Sequence, residues 1–401
     1  MTTDEEPGHT GLDPVDDLRI RGVTCVDGRL RDLTIEGGVL IRARVSPDGA
    51  VGGSLPVLDG RGLVALPGLV EAHCHLDKTL FGRPWVPHLA EDSLTSRVTT
   101  DRTHRARLGI PDPIAMRALL AQMAATGTSL VRSHTDVDPE VGLLGIERVR
   151  DVASEVAHVI EVQQVAFPQH GLHANPGTLD LMAAALAEGA QVVGGLDPTS
   201  DGDARDYLDA IFALAERHGA KVDLHLHARG DVGLQELDLV IERTKTLHMA
   251  GRVAVSHLYC VGDLDLDGVR ALADKLASAG VGVVTAAPYS FPVPPIRELM
   301  AAGVVVGCGH DGIRDLWGPY GTGDMLDRTR HIAMRSGYRS DADIELVLAA
   351  ATSGGRRLLV GEAGGIVEGR RADLILVPSS CAAEAVVAAP PRRRVVRGRL
   401  R

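Results

Sequence analysis

Through the middle of this 401-residue chain, short apolar runs alternate with Ala- and Leu-rich stretches of helical spacing, and this alternation narrows the fold more than any other feature. Eight strand candidates can be read: 69–75 (LVEAHCH), 129–137 (SLVRSHTDV), 158–167 (HVIEVQQVAF), 191–198 (QVVGGLDP), 221–227 (KVDLHLH), 252–259 (RVAVSHLY), 280–287 (GVGVVTAA) and 303–311 (GVVVGCGHD). Segments such as PIAMRALLAQMAATG and YLDAIFALAERHG supply the helices between them. Parallel strands need such crossovers, because a tight turn cannot return the chain in the same direction. No G-x-G-x-x-G or Walker loop follows an early strand, which weighs against an open doubly wound sheet. The expectation is α/β: a closed (β/α)8 TIM barrel over residues 67–360. Aromatic residues are only 3% of the chain, so its core must be built from Ala, Val, Leu and Ile.

The two ends differ from the middle. Residues 17–66 and 361–401 read as short β segments punctuated by Gly, Asp and Pro, and are expected to pair as a small β-sandwich domain formed from both termini. Residues 1–16 are acidic and lack an apolar stretch, so they read as a flexible N-terminal arm and not as a signal peptide. The basic tail PPRRRVVRGRLR reads as a solvated last strand. A formal net charge of −11 argues against broad binding to nucleic acid or anionic membranes and fits an enzyme with a small-molecule substrate. No run approaches the ~20 apolar residues of a membrane span. Five cysteines without paired spacing suit a reducing cytoplasm.

The chemistry gathers at the strand ends. Strand one ends His73-Cys74-His75, strand two carries His134, strand five ends His225-Leu226-His227, strand six carries His257, and strand eight ends His310-Asp311. In a closed barrel these ends converge on one mouth. A single histidine is more often a satisfied structural residue than a ligand, but the theme repeats on five strands. Three imidazoles and one carboxylate make a borderline-soft site for one divalent metal ion, Zn2+ or Fe2+. Strands three and four carry no lysine, so a carbamylated lysine bridging two metals is not available there. Cys74 points to the opposite face from its two neighbours and reads as core. The thiol-ligated deaminase signature, H-x-E with P-C-x-x-C, is absent. The remaining histidines, His170 among them, read as surface or helix residues.

The stretches LPGLVEAHCHLDKT, VRSHTDVD, VAFPQHG, VDLHLH, VAVSHL and GCGHDGIRDLWGPYGTGDML resemble, in order, the amidohydrolase superfamily and within it the cytosine deaminase-like branch. The resemblance implies that His73, His75, His225 and Asp311 hold the metal. It implies that Asp311 and His257 are catalytic: Asp311 moving the proton of a metal-activated water to the leaving nitrogen, His257 supporting that water. It places Lys78, Gln163, Trp317 and His134 against the substrate, with a buried structural histidine as the alternative for His134. Lys78 matches branch members that act on aminated triazines, where cytosine deaminase has a threonine. Two acidic residues of cytosine deaminase are replaced by Ala228 and Gly312, which argues against cytosine itself; Asp231 or His227 are the candidates to stand in. The implied activity is hydrolysis of a C–N bond, deaminating or dealkylaminating a small N-heterocycle. The alternative is a metal-dependent amidase or lactamase. Relatives of this kind are often oligomers, and the sequence marks no interface.

Overall fold

Among the described residues, five strands come before the first helix-linked one: β1 (Leu18–Cys25), β2 (Leu30–Glu36), β3 (Val39–Val45), β4 (Val57–Asp59) and β5 (Leu63–Pro67). Three more close the chain: β14 (Leu374–Pro378), β15 (Arg393–Val396) and β16 (Arg399–Leu400). The computed structural model describes residues 17–45, 55–88, 90, 93–362 and 364–400; the arm expected over 1–16 lies outside the described residues. Both termini build one sheet, in the order β16-β15-β14-β5-β1-β2-β3 with β4 on β1. The seam between the two halves of the sequence is the antiparallel β5–β14 pair, in which Leu376 faces Ala65. Ile20, Leu33, Ile35, Leu40, Leu374 and Val395 form its own core. The arginine-rich tail supplies the edge hairpin β15–β16.

The domain line expected at 361 is not clean. The helix Ala382–Ala388 buries Ala382, Ala385 and Val386 in the core of the barrel layer, a core that Val64 and Leu66 of β5 and Ile375 and Val377 of β14 also enter from the terminal sheet.

Between these parts run β6 (Leu69–Cys74), β7 (Thr128–Asp136), β8 (Glu161–Phe167), β9 (Val192–Gly195), β10 (Lys221–Leu226), β11 (Val253–His257), β12 (Val281–Thr285) and β13 (Val306–Cys308). They are parallel and ordered as in sequence. The ring closes between β13 and β6 through a bridge between Cys74 and Asp311, with the Asp311 N–H donating to His73 O at 2.8 Å. All eight strands read from sequence are therefore present. No helix among the described residues is long and apolar enough to cross a membrane.

Period-two alternation sorts the strand side chains. On β10, Val222 and Leu224 face outward into the helix layer, against residues such as Tyr207, Ile211 and Leu237, while Asp223 and His225 face the ring's interior. On β7, Val131 packs outward and Leu130, Arg132 and His134 line the inside. The floor is apolar: Val70, Ala72, Leu130, Ala254 and Val284 meet Leu358 and Leu359 of the short helix Gly355–Val360. Above it lies a polar layer, and above that the mouth.

Candidate metal centre at the barrel mouth

The first strand is irregular where it matters. The β6–β7 register shifts between Glu71 and Cys74, so that after Val70 and Ala72 on the floor, His73 and His75 enter the mouth. Cys74 faces outward among Leu76, Met116 and Leu119, as expected. Glu71, fully buried, ties the two ends of the ring: one carboxylate oxygen accepts from the N–H groups of His73 (3.1 Å) and His310 (3.0 Å), and the other meets His310 Nδ1 at 2.5 Å. His310 thus serves the seam, while its neighbour Asp311 turns to the mouth.

His73, His75, His134, His225 and His257 converge there, with ring centroids between 4.1 and 5.7 Å apart in each adjoining pair. One ligand atom each from His73, His75 and Asp311 lies within 4.8 Å of the others, and the same holds for His73, His225 and His257. His73 belongs to both groups. Its tautomer follows from its partner. Ser256 Oγ donates to Asp223 Oδ1 (2.9 Å), so it accepts from His73 Nδ1–H (2.9 Å) and leaves Nε2 with a lone pair facing Asp311, 3.7 Å away. Burial and the neighbouring rings hold His73, His134 and His225 well below the ordinary imidazole pKa, and His257 at about 3. These rings are neutral near pH 7. Burial would raise the Asp311 carboxyl, but the hydrogen bond from His75 and the nearby His257 and His73 outweigh it and keep it ionised.

Buried neutral imidazoles beside an ionised carboxylate form a ligand set. His73 Nε2, His257 Nε2 and both nitrogens of His225 have no hydrogen-bond partner among the described residues. Unpaired buried polar atoms cost free energy, about 1–3 kcal/mol each, and a cation shared among them removes that cost. The donor set therefore fits a divalent metal.

The backbone bends to deliver these groups. His257 and Asp311 both lie at positive φ, 73° and 67°. Strict alternation on β11 would send His257 outward with Val255; the left-handed turn brings its ring back beside His225.

Around this cluster the predicted substrate residues divide. Lys78, 4% exposed, donates to Gln169 Oε1 (2.7 Å) and pairs with Asp136 (2.9 Å). Burial favours its neutral form, but the carboxylates of Asp136, Asp101 and Asp77 prevail and keep it charged. Its ammonium sits 5.2 Å from the Trp317 ring centroid. His134 is fully buried within the cluster, 3.8 Å from Asp223, and neither of its ring nitrogens has a hydrogen-bond partner among the described residues. Gln163 is not at the mouth: its amide accepts from Arg132 Nε (2.8 Å) and donates to Leu359 O (3.4 Å), down at the floor. Sequence reading chose the wrong glutamine. Gln169, just past the end of β8 in the segment PQHG, is the one that reaches Lys78, and its position beyond the strand end was the signal.

Ala228 and Gly312 also resolve. Asp231 is exposed at the start of a helix and is not brought to the mouth. His227 is: Asp197 accepts from the N–H of His227 and of Ala228 and meets His227 Nδ1 at 2.8 Å, and the ring stacks on His257 at 4.5 Å. At Gly312 a Cβ would lie 2.2 Å from Asp315 Oδ2, because Asp315 folds back into that space, held by the N–H groups of Trp317 and Gly318. His170, expected at the surface, has its ring buried against Asp138 at 3.0 Å.

The family model described as "Amidohydrolase family" matches residues 114–400. N-isopropylammelide isopropyl amidohydrolase of Pseudomonas sp. (strain ADP) is 30% identical over 357 residues, covering 86% of each chain. Among solved structures, N-isopropylammelide isopropylaminohydrolase from Burkholderia multivorans superimposes with TM-score 0.90 at 42% identity, covering 96% of this chain and 97% of that one. The 5-methylcytosine deaminase from Klebsiella pneumoniae, liganded with 5-fluorocytosine, gives 0.83 at 26% identity, covering 95% and 96%.

Proposed function

The chain belongs to the amidohydrolase family, and from that premise we propose that it hydrolyses the exocyclic C–N bond of a small N-heterocycle, releasing ammonia or a small alkylamine. The observation that carries the reading is the union of an unpaired imidazole cluster with a buried, charged Lys78 whose ammonium lies 5.2 Å from the Trp317 ring centroid. Similarity to N-isopropylammelide isopropylaminohydrolase directs the choice towards hydroxylated aminotriazines bearing an N-alkyl group. Ala228, where cytosine deaminase has its acid, directs it away from cytosine.

In this reading His73, His75, His225 and Asp311 would hold one divalent ion, Zn2+ or Fe2+ by the nature of the donors. Such an ion would lower the pKa of a water bound to it and so supply the nucleophile. Asp311, kept ionised by the imidazoles around it, would accept a proton and return it to the departing nitrogen. His257 hydrogen-bonds the oxygen that gains charge at the tetrahedral carbon. Lys78 and Gln169 hold an oxygen substituent of the ring, with Trp317 and Phe167 as walls. His227, fixed by Asp197, carries the proton that the ring nitrogen needs in place of the missing acid.

The test is an amine-release assay on the metal-loaded protein with N-isopropylammelide, ammelide, cytosine and pterin. Alkylamine from the first, with cytosine turned over far more slowly, is the expected result. No amine from any member of the panel would overturn the proposal, and ring opening without amine would move the reaction to the amidase class.

A further inference from the structure

At the end of the barrel opposite the mouth lies a second polar cavity, of about 450 Å3. It is walled by the starts of β10, β11, β12 and β13 and by the short helix that plugs the floor. Four of its lining residues are cationic (Arg132, Lys221, Arg252 and Arg357) and none of its lining residues is a carboxylate, in a chain whose net charge is −11. Three of the cations are fixed in place. Lys221 Nζ donates to Leu359 O (2.6 Å) and Leu358 O (3.2 Å), and Arg252 donates to Ala220 O (2.8 Å). Arg132, 1% exposed, spends Nε on Gln163 and Nη1 on Asp223, and its Nη2 has no hydrogen-bond partner among the described residues. Basic side chains near helix C-termini often do no more than cap carbonyls. Here the caps use only part of the donor capacity, two of three on Lys221 and one of five on Arg252. No carboxylate within salt-bridge distance of Lys221, Arg252 or Arg357 is found among the described residues.

We propose that this basal cavity binds a compact phosphoryl dianion, free phosphate or the phosphate group of a small metabolite. Three of the four cations, Lys221, Arg252 and Arg357, have no carboxylate counter-ion among the described residues, Arg132 keeps one free N–H group beside its pair with Asp223, and the fork of an arginine suits a tetrahedral oxyanion. Consistent with an excess of positive potential, the Lys221 ammonium is held at a pKa of about 8 by burial and by Arg132 and Arg252. The site does not depend on the mouth chemistry proposed above.

The experiment titrates inorganic phosphate, and in a parallel arm glycerol phosphate, into the metal-loaded protein by calorimetry, with chloride at matched ionic strength as the control. Saturable binding is expected from at least one of the two, and their relative affinities identify the source. Arg357 is exposed, so Arg357→Gln keeps the fold; it and Arg252→Gln should each weaken binding roughly tenfold. Binding unchanged in both variants would place the phosphate on the mouth metal and overturn the proposal, as would no saturable heat with either compound.

Discussion

Asp311 and His257 occupy left-handed backbone that a non-glycine residue adopts only when its surroundings hold it there. Both are the residues to which the proposed reaction assigns proton transfer and charge support. Asp311→Asn keeps the shape and loses the base; kcat should fall by roughly 10²–10⁴-fold, with the far-ultraviolet dichroism unchanged. Ser256 acts one bond further out. Its hydroxyl joins His73 to Asp223 and so fixes which nitrogen of His73 is free to ligate. Ser256→Ala should weaken metal affinity by about 10–100-fold, read by competition with a chromophoric chelator; unchanged affinity would mean that packing alone orients His73. The two glutamines separate by readout. Gln169→Ala should raise KM, because it loses a contact beside Lys78. Gln163→Leu should leave KM alone and cost about 1–3 kcal/mol in urea unfolding, since it strands Arg132 Nε.

The seam between β6 and β13 shows what the sequence could and could not tell. Eight strands were legible because each is a short apolar run set between helical patterns, and the convergence of His73 and His75 at the end of β6 was legible because period two puts them on one face. The register shift against β7 between Glu71 and Cys74 was not legible, since the residues around it carry no local pattern that marks it. The ring of His170 was misplaced for a related reason, and the support of His227 was not foreseen: their partners, Asp138 and Asp197, lie 32 and 30 positions away, and no periodicity reports such pairs. Gly309 is tightly packed against the seam. A Cβ there would lie 2.2 Å from Glu71 Oε1 and 2.5 Å from His73 O, and neither the buried carboxylate nor the backbone can move aside cheaply. Gly309→Ala should therefore part β13 from β6, cost roughly 1–3 kcal/mol or more in urea unfolding, and lower the bound metal per chain by elemental analysis. A variant with full metal content would show that the seam does not set the ligand geometry.

The barrel carries opposite chemistry at its two ends, and one hydrogen-bonded line joins them: Arg132 at the basal cavity donates to Asp223 (2.6 Å), Asp223 accepts from Ser256, and Ser256 accepts from His73 at the mouth. Such a line through the interior replaces apolar packing with charge, and its lower end contributes to the field that disfavours the Lys221 ammonium. The consequence for stability has a definite sign. Lys221 in the folded chain loses its proton near pH 8, whereas in the unfolded chain it keeps it to the ordinary value of 10.5. Between those two limits the unfolded state binds more protons, so this residue makes stability rise with pH; below pH 8 its penalty is constant, and above 10.5 it is gone. Other groups titrate in the same range, so the quantity to measure is the difference in unfolding free energy between the parent and Lys221→Met at several pH values. That difference should change through this window and be flat below it. A bound phosphoryl dianion would return Lys221 towards its ordinary pKa, so the same comparison in saturating phosphate should lose its slope.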